Sequence, residues 1–109
     1  MVQAHTGSGK TGAFGIPITA GVDTELAACQ ALVLAPTREL ANQVCAEIQA
    51  IGRHKQVRCV PIYGGVGYAD QIAGIEAGAH VVVGTPGRML DHLGSGRLGF
   101  EKVKTLIFD

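Results

Sequence analysis

Near the start of the chain, Ala4-His5-Thr6-Gly7-Ser8-Gly9-Lys10-Thr11 places two glycines two residues apart, directly before a Lys-Thr pair. Gly7 and Gly9 let the backbone curl until successive N–H groups converge on one point, in a nest that a β-carbon would fill. Thr6 and Ser8 complete that loop. Lys10 adds a point charge suited to β- and γ-phosphates, and the Thr11 hydroxyl can ligate Mg²⁺. Ala4 stands where the strict pattern has glycine. These types at this spacing describe a seat for a magnesium nucleoside triphosphate.

A second carboxylate for such a metal comes from the end of the chain. Thr105-Leu106-Ile107-Phe108 is an apolar run that ends in Asp109. In nucleotide hydrolases a strand of this kind delivers a Mg²⁺-associated Asp. Three further short segments are rich in Gly, Pro and Thr and carry two cations: Pro36-Thr37-Arg38, Gly64-Gly65-Val66-Gly67 and Thr85-Pro86-Gly87-Arg88.

Strands alternating with helices position these segments. Apolar runs at Met1-Val2-Gln3-Ala4, Ala31-Leu32-Val33-Leu34-Ala35, 57–63, Val81-Val82-Val83-Gly84 and 105–108 are continuous, as in strands covered on both faces of a parallel sheet. Between them lie helical patterns. Over 39–52 the apolar face is Leu40, Ala41, Val44, Cys45, Ile48 and Ile51; over 68–77 it is Tyr68, Ala69, Ile72, Ala73 and Ile75. Over 85–94, Thr85 is the expected N-cap and Pro86 opens the first turn. Gly94 is expected just past the end, with Met89, Leu90 and Leu93 inward. The stretch 10–18 is a weaker helix, with Gly12, Gly15 and Pro17 inviting a kink. The expected fold is a three-layer α/β/α domain with a mostly parallel sheet and right-handed crossovers. Parallel strands deliver their C-terminal ends, and the N-termini of the helices that follow, to one edge. All four loops, with Lys10, Arg38 and Arg88, therefore belong on one anion-binding rim.

Composition narrows the class. Hydrophobic residues make up 47% of the 109 and charged residues 17%, which excludes a disordered chain. Nine basic residues balance nine acidic ones, so any polyanion site must be built locally. No apolar run approaches the ~20 residues of a membrane span, and no signal-peptide pattern opens the chain. Cys29, Cys45 and Cys59 form no Cys-x-x-Cys pair, which favours buried thiols in a reducing, cytoplasmic setting over a disulfide or zinc scaffold.

Together the loop at Ala4–Thr11, Pro36-Thr37-Arg38-Glu39-Leu40-Ala41, Gly64-Gly65, Thr85-Pro86-Gly87-Arg88 and Leu106-Ile107-Phe108-Asp109 resemble, in order and spacing, the motifs of DEAD-box RNA helicases. The Pro-Thr-Arg-Glu-Leu and Thr-Pro-Gly-Arg segments separate that family from the related DEAH-box proteins. The resemblance covers essentially the whole chain. It implies part of a first RecA-like P-loop NTPase domain, an ATP-dependent enzyme that opens short RNA duplexes. Thr6, Gly7, Ser8, Gly9, Lys10 and Thr11 would then hold ATP, with Lys10 and Asp109 catalytic and Thr11 and Asp109 at Mg²⁺. The resemblance further assigns Thr37, Arg38, Gly64, Gly65, Thr85, Gly87 and Arg88 to the RNA backbone. Contacts of that kind grip phosphates without reading bases and weaken with salt.

The same resemblance implies what residues 1–109 lack. Missing are the upstream adenine-recognition segment, the general-base Glu after Asp109, the Ser-Ala-Thr motif and a second RecA-like domain with its arginine fingers. The fragment is therefore expected to be nearly inactive, and its sheet incomplete, with a gap between the phosphate-loop strand and the Asp109 strand. Two other readings stay open. A different P-loop enzyme would share the first loop and Asp109 but has no use for Pro36–Leu40 or Thr85–Arg88. A pure RNA- or protein-binding module would not couple nucleotide to RNA.

The remaining polar residues draw plainer expectations. His5 sits at a variable loop position, and His54, His80 and His92 lack metal-ligand spacing to one another. Arg53, His54 and Lys55 read as a solvated turn, and Glu39 as a structural cap or ion-pair partner. Tyr63 ends a strand at the rim, where it can pack into the core or stack on a base.

Overall fold

The computed structural model describes residues 11–64, 69–96 and 101–108. The apolar runs become strands β1 (Ala31–Leu34), β2 (Cys59–Ile62), β3 (Val81–Gly84) and β4 (Thr105–Phe108). The amphipathic stretches become α1 (Thr11–Gly21), α2 (Arg38–Ile51), α3 (Ala69–Glu76) and α4 (Pro86–Gly94), with a 3-10 turn at Arg53–Lys55. The expected strand at residues 1–4 lies outside the described residues.

The four strands make one all-parallel sheet in the order β2-β3-β1-β4. Alternation splits their side chains cleanly. Ala31, Val33, Cys59, Val81, Val83 and Ile107 pack beneath Ile18 of α1, Val22 just after it, and Val44 and Ile48 of α2. Leu32, Ile62 and Val82 pack on the other side, against Met89 and Leu93 of α4 and Ile75 of α3. Both faces are covered, which is why the strands read as unbroken apolar runs. A fully buried aliphatic side chain contributes up to about 1.5–3 kcal/mol. Val33, Val81, Val82 and Val83 show no exposure, so β1 and β3 at the centre anchor the domain.

The crossovers obey one hand. The chain moves one way along the sheet from β1 to β2 through α2, then reverses through α3 and α4 to β3 and β4. The covering face changes where the direction reverses, as crossovers of a single hand require. Within the described strands the sheet is unbroken. Any gap next to the phosphate-loop strand would fall on the open side of β4.

Several local expectations are corrected. On α4 the inward residues are Met89 and His92, with Leu93 partly buried, whereas Leu90 is 68% exposed. On α3 the buried residue is Gln71, while Ala69 and Ala73 face solvent. Both helices are rotated so that a polar pair, not the extra apolar residues, lies inside. Helix α1 continues through Pro17 to Gly21. Gly94 is the last residue of α4 rather than the one past it, and the left-handed turn falls on Gly96. Ile51, expected on the inner face of α2, is exposed at its end.

At the N-terminal edge of the sheet, buried Gln30 organises the connection from α1 to β1. Its amide donates to the carbonyls of Asp23 (2.8 Å) and Leu26 (3.1 Å), and its oxygen accepts from the Asp23 N–H at 2.8 Å. Gly78 closes α3 with φ +88°, and a β-carbon there would lie 2.6 Å from that of Ala27. All three cysteines are free thiols, as expected. Burial pushes Cys29 up to about 11. Hydrogen bonding to the Cys45 sulfur, together with burial, pushes Cys59 far above the ordinary thiol range. Among the described residues no helix is long and apolar enough to cross a membrane, and no cluster of His, Cys, Asp and Glu could hold a metal.

Candidate nucleic-acid interface

The strands are parallel, so the loops after β1, β2 and β3 emerge at one edge. The ladder continues one step past the strands and fixes where two loops begin. Ala35 N–H donates to the Gly84 carbonyl at 2.9 Å, and Thr85 N–H donates to that of Ile62 at 3.0 Å. Close packing of β2 on β3 is possible because residue 84 is glycine: a β-carbon would sit 2.9 Å from the Ile62 carbonyl oxygen.

Thr37 and Arg38 begin α2. Thr37 is extended (φ −133°, ψ 159°), and its hydroxyl accepts the Leu40 N–H at 3.2 Å, an N-cap that the sequence reading did not name. Glu39 occupies the first turn and is exposed, where an acidic side chain favours the positive helix end. At α4 the cap is Thr85, but its hydroxyl makes no capping bond, and Pro86 fills the position that needs no N–H. Among the described residues, a β-carbon on Gly64 or Gly87 would meet open space. Glycine in a helix costs up to about 1 kcal/mol relative to alanine. Packing against the described residues gives no reason to accept that at Gly87.

A chain of contacts joins these loops. The Arg38 guanidinium lies over the Tyr63 ring, 5.6 Å from its centroid, and Asn42 Nδ2 donates to the Tyr63 hydroxyl at 3.4 Å. The Tyr63 carbonyl accepts from Gln71 Nε2 at 2.9 Å. Gln71 Oε1 in turn accepts from Arg88 Nη1 at 3.2 Å and from His92 Nε2 at 3.1 Å. Orphaning a buried group of this kind costs about 1–3 kcal/mol, against a net gain near 1 kcal/mol for each bond made. The network is thus harder to break than its individual bonds suggest.

The far end of α1 is held at the edge of the sheet opposite the rim. Lys55, exposed in the turn before β2, donates from Nζ to the carbonyls of Thr19 and Ala20, each at 2.9 Å. That turn lies at the N-terminal edge of the sheet, so α1 ends there alongside α2. Its other end, beginning at Thr11, is directed toward the rim.

Of the residues expected at the site, the structure brings Thr37, Arg38, Gly64, Thr85, Gly87 and Arg88 to one edge. Thr6, Gly7, Ser8, Gly9, Lys10, Gly65 and Asp109 lie outside the described residues, and Thr11 is described as the first residue of α1. Gln71 and His92 were not foreseen. The available signal was the i, i+4 spacing of Arg88 and His92, which puts two polar side chains on one face of the helix.

A parallel sheet between two helical layers, with Gly- and Thr-rich loops gathered at one edge, is the arrangement of a RecA-like α/β domain. The chain belongs to the DEAD/DEAH box helicase family, whose profile matches residues 1–109. It is 53% identical over 107 residues to the DEAD-box ATP-dependent RNA helicase CshA of Geobacillus kaustophilus, covering 98% of this chain and 23% of that protein. It is 45% identical over 107 residues to CshA of Bacillus subtilis, covering 98% of this chain and 22% of that one. Among solved structures, a DEAD box protein from the hyperthermophile Methanococcus jannaschii superposes with a TM-score of 0.88 at 45% identity, over 98% of this chain and 29% of that one. Saccharomyces cerevisiae Dbp5 bound to RNA and ADP BeF3 gives 0.81 at 34% identity, over 98% and 26%. The chain therefore spans between a fifth and a quarter of the CshA relatives.

Proposed function

We propose that this chain supplies the ATP-binding loop and half of an RNA-backbone clamp to an ATP-dependent RNA helicase. The observation that carries the reading is the line of contacts Arg38–Tyr63–Gln71–Arg88, which ties three loops into one cationic rim. Arg38 and Arg88 would each meet a phosphate of a single RNA strand. The first-turn N–H groups of α2 and α4 would add oriented donors and the favourable end of each helix dipole. Nothing in this set reads a base edge, so binding is independent of sequence and falls with salt.

ATP, as the magnesium complex, is the second substrate. Thr6–Lys10 would wrap its phosphates ahead of α1, with Lys10 on the β/γ pair. Thr11 and Asp109 would hold the metal. The orientation of α1 supports this, because it directs the positive helix end toward the rim. The names of the relatives support ATP-dependent RNA unwinding as the activity of the complete protein. The 109 residues alone would bind but turn over ATP slowly.

The test uses the complete protein. RNA should stimulate its ATP turnover, an ATP analogue should tighten its RNA affinity, and Lys10→Ala should remove both effects. RNA affinity indifferent to nucleotide would replace this reading with a simple binding module.

A further inference from the structure

Three rim elements converge on one buried side-chain amide. Gln71 of α3 is 5% exposed and His92 of α4 is fully enclosed. Gln71 Nε2 donates to the Tyr63 carbonyl, one residue before Gly64, while its Oε1 accepts from both Arg88 and His92. That partner set admits one orientation. Turned over, the NH₂ would face the Arg88 donor and the oxygen would face a carbonyl. It also sets the imidazole tautomer, with the hydrogen on Nε2. Arg88 and His92 reach the same oxygen because they are four residues apart on one helix. Engaging Nη1 fixes the plane of the Arg88 guanidinium, whose donors form a rigid fork.

We propose that Gln71 is a positioning residue for RNA binding. It locks the start of the Gly64-Gly65 loop to Arg88, so that both meet neighbouring phosphates as one unit. The inference rests on the RNA-backbone reading above and deepens it: Gln71 acts through Arg88 and the Tyr63 carbonyl, without touching RNA. A buried amide serving stability alone would carry the same hydrogen bonds, so the test must separate the two roles.

The experiment is a double-mutant cycle in the complete protein, with fluorescein-labelled single-stranded RNA and an ATP analogue, over a salt series. Arg88→Ala should weaken binding and lower the salt slope by about one phosphate. Gln71→Met should weaken binding about tenfold at fixed salt and lower the slope by the same amount. The double variant should bind no more weakly than Arg88→Ala alone. Additive losses, or an unchanged slope for Gln71→Met, would overturn the coupling and leave the RNA reading intact. An unchanged affinity for Arg88→Ala would instead defeat the RNA reading, and the coupling with it. If Gln71→Met fails to fold, Gln71→Glu runs the same cycle with an isosteric side chain. Its carboxylate would pair with Arg88, so it should weaken binding in the parent background and have no effect beside Arg88→Ala. An equal effect in both backgrounds would refute the proposal.

Discussion

Arg38 holds its guanidinium over the face of Tyr63, 5.6 Å from the ring centre, although Arg38 itself is exposed. The ring is partly buried against the core formed by α1, α2 and the sheet, so a rigid platform carries an otherwise mobile cation. A cation–π contact at an exposed site is worth about 0.5–1 kcal/mol. Removing the platform as Tyr63→Leu should therefore weaken RNA binding by the complete protein roughly two- to fivefold. Tyr63→Phe keeps the ring and loses only the long bond from Asn42, and should bind normally. Fluorescence anisotropy with labelled RNA decides it; equal losses for the two variants would assign the role to the hydroxyl.

His80 should make the centre of the sheet acid-sensitive. It is 1% exposed; its Nδ1 accepts the Arg58 N–H at 3.0 Å, and its Nε2 has no hydrogen-bond partner among the described residues. Burial, then the nearby Arg58 charge, lowers its pKa below the ordinary 6.5. The unfolded chain therefore takes up the proton first as pH falls. The stability this group confers is complete above about pH 6.5 and is lost below it, by at most about 1.4 kcal/mol per pH unit. Hydrogen exchange at the β3 amides should accelerate between pH 7 and pH 5.5, after correction for intrinsic rates. In His80→Gln the acceleration should be smaller, and equal profiles would remove His80 as the cause.

How much of this was readable from the sequence depends on what each residue had to report. The strands were legible because a sheet covered on both sides leaves unbroken apolar runs, as in Val81–Gly84. The cap read from the sequence, Thr85, sits at the start of α4 without a side-chain capping bond, whereas Thr37, read only as a rim residue, makes such a bond to Leu40. The inner faces of α3 and α4 were misread because apolar counting assigns Ala69, Ala73 and Leu90 to the core. A buried polar residue that is satisfied by partners 17 and 21 positions away, as Gln71 is, leaves no periodic trace. Lys55 was read as a solvated residue. It is solvated, but its target lies 36 residues earlier in the chain. The family motifs were plain because chemistry fixes residue types at short spacing, which tertiary contacts do not.

Lys55→Met should loosen the end of α1. The ammonium meets two last-turn carbonyls, where a cation is favoured by about 0.3–1 kcal/mol. Protection of the C-terminal α1 amides should fall by roughly two- to fivefold in hydrogen exchange. Arg at this position should restore it in part. Unchanged protection would mean that packing of Ile18 and Val22 alone fixes the helix.

The 109 residues by themselves should hydrolyse ATP far more slowly than the complete protein. Loss of a transition-state arginine alone costs about 10³–10⁵ in phosphoryl transfer. Steady-state phosphate release with saturating RNA measures the difference, and a rate within about tenfold of the complete protein would contradict the assignment of chemistry to groups outside this chain.

Gly84→Ala tests whether the rim tolerates any widening of β2 from β3. The added carbon would press on the Ile62 side chain and lie 2.9 Å from its carbonyl oxygen, the acceptor of the Thr85 N–H that opens the Thr-Pro-Gly-Arg loop. Trimming Ile62→Val leaves the backbone oxygen in place, so it should recover little. A forced insertion of this size costs about 1–3 kcal/mol. Displacement of Ile62 would also shift the start of α4 relative to Tyr63, so RNA affinity should fall along with stability. A Gly84→Ala protein that is less stable yet binds RNA normally would show that the spacing of the two loops is set elsewhere, by Gln71 rather than by the strand ladder.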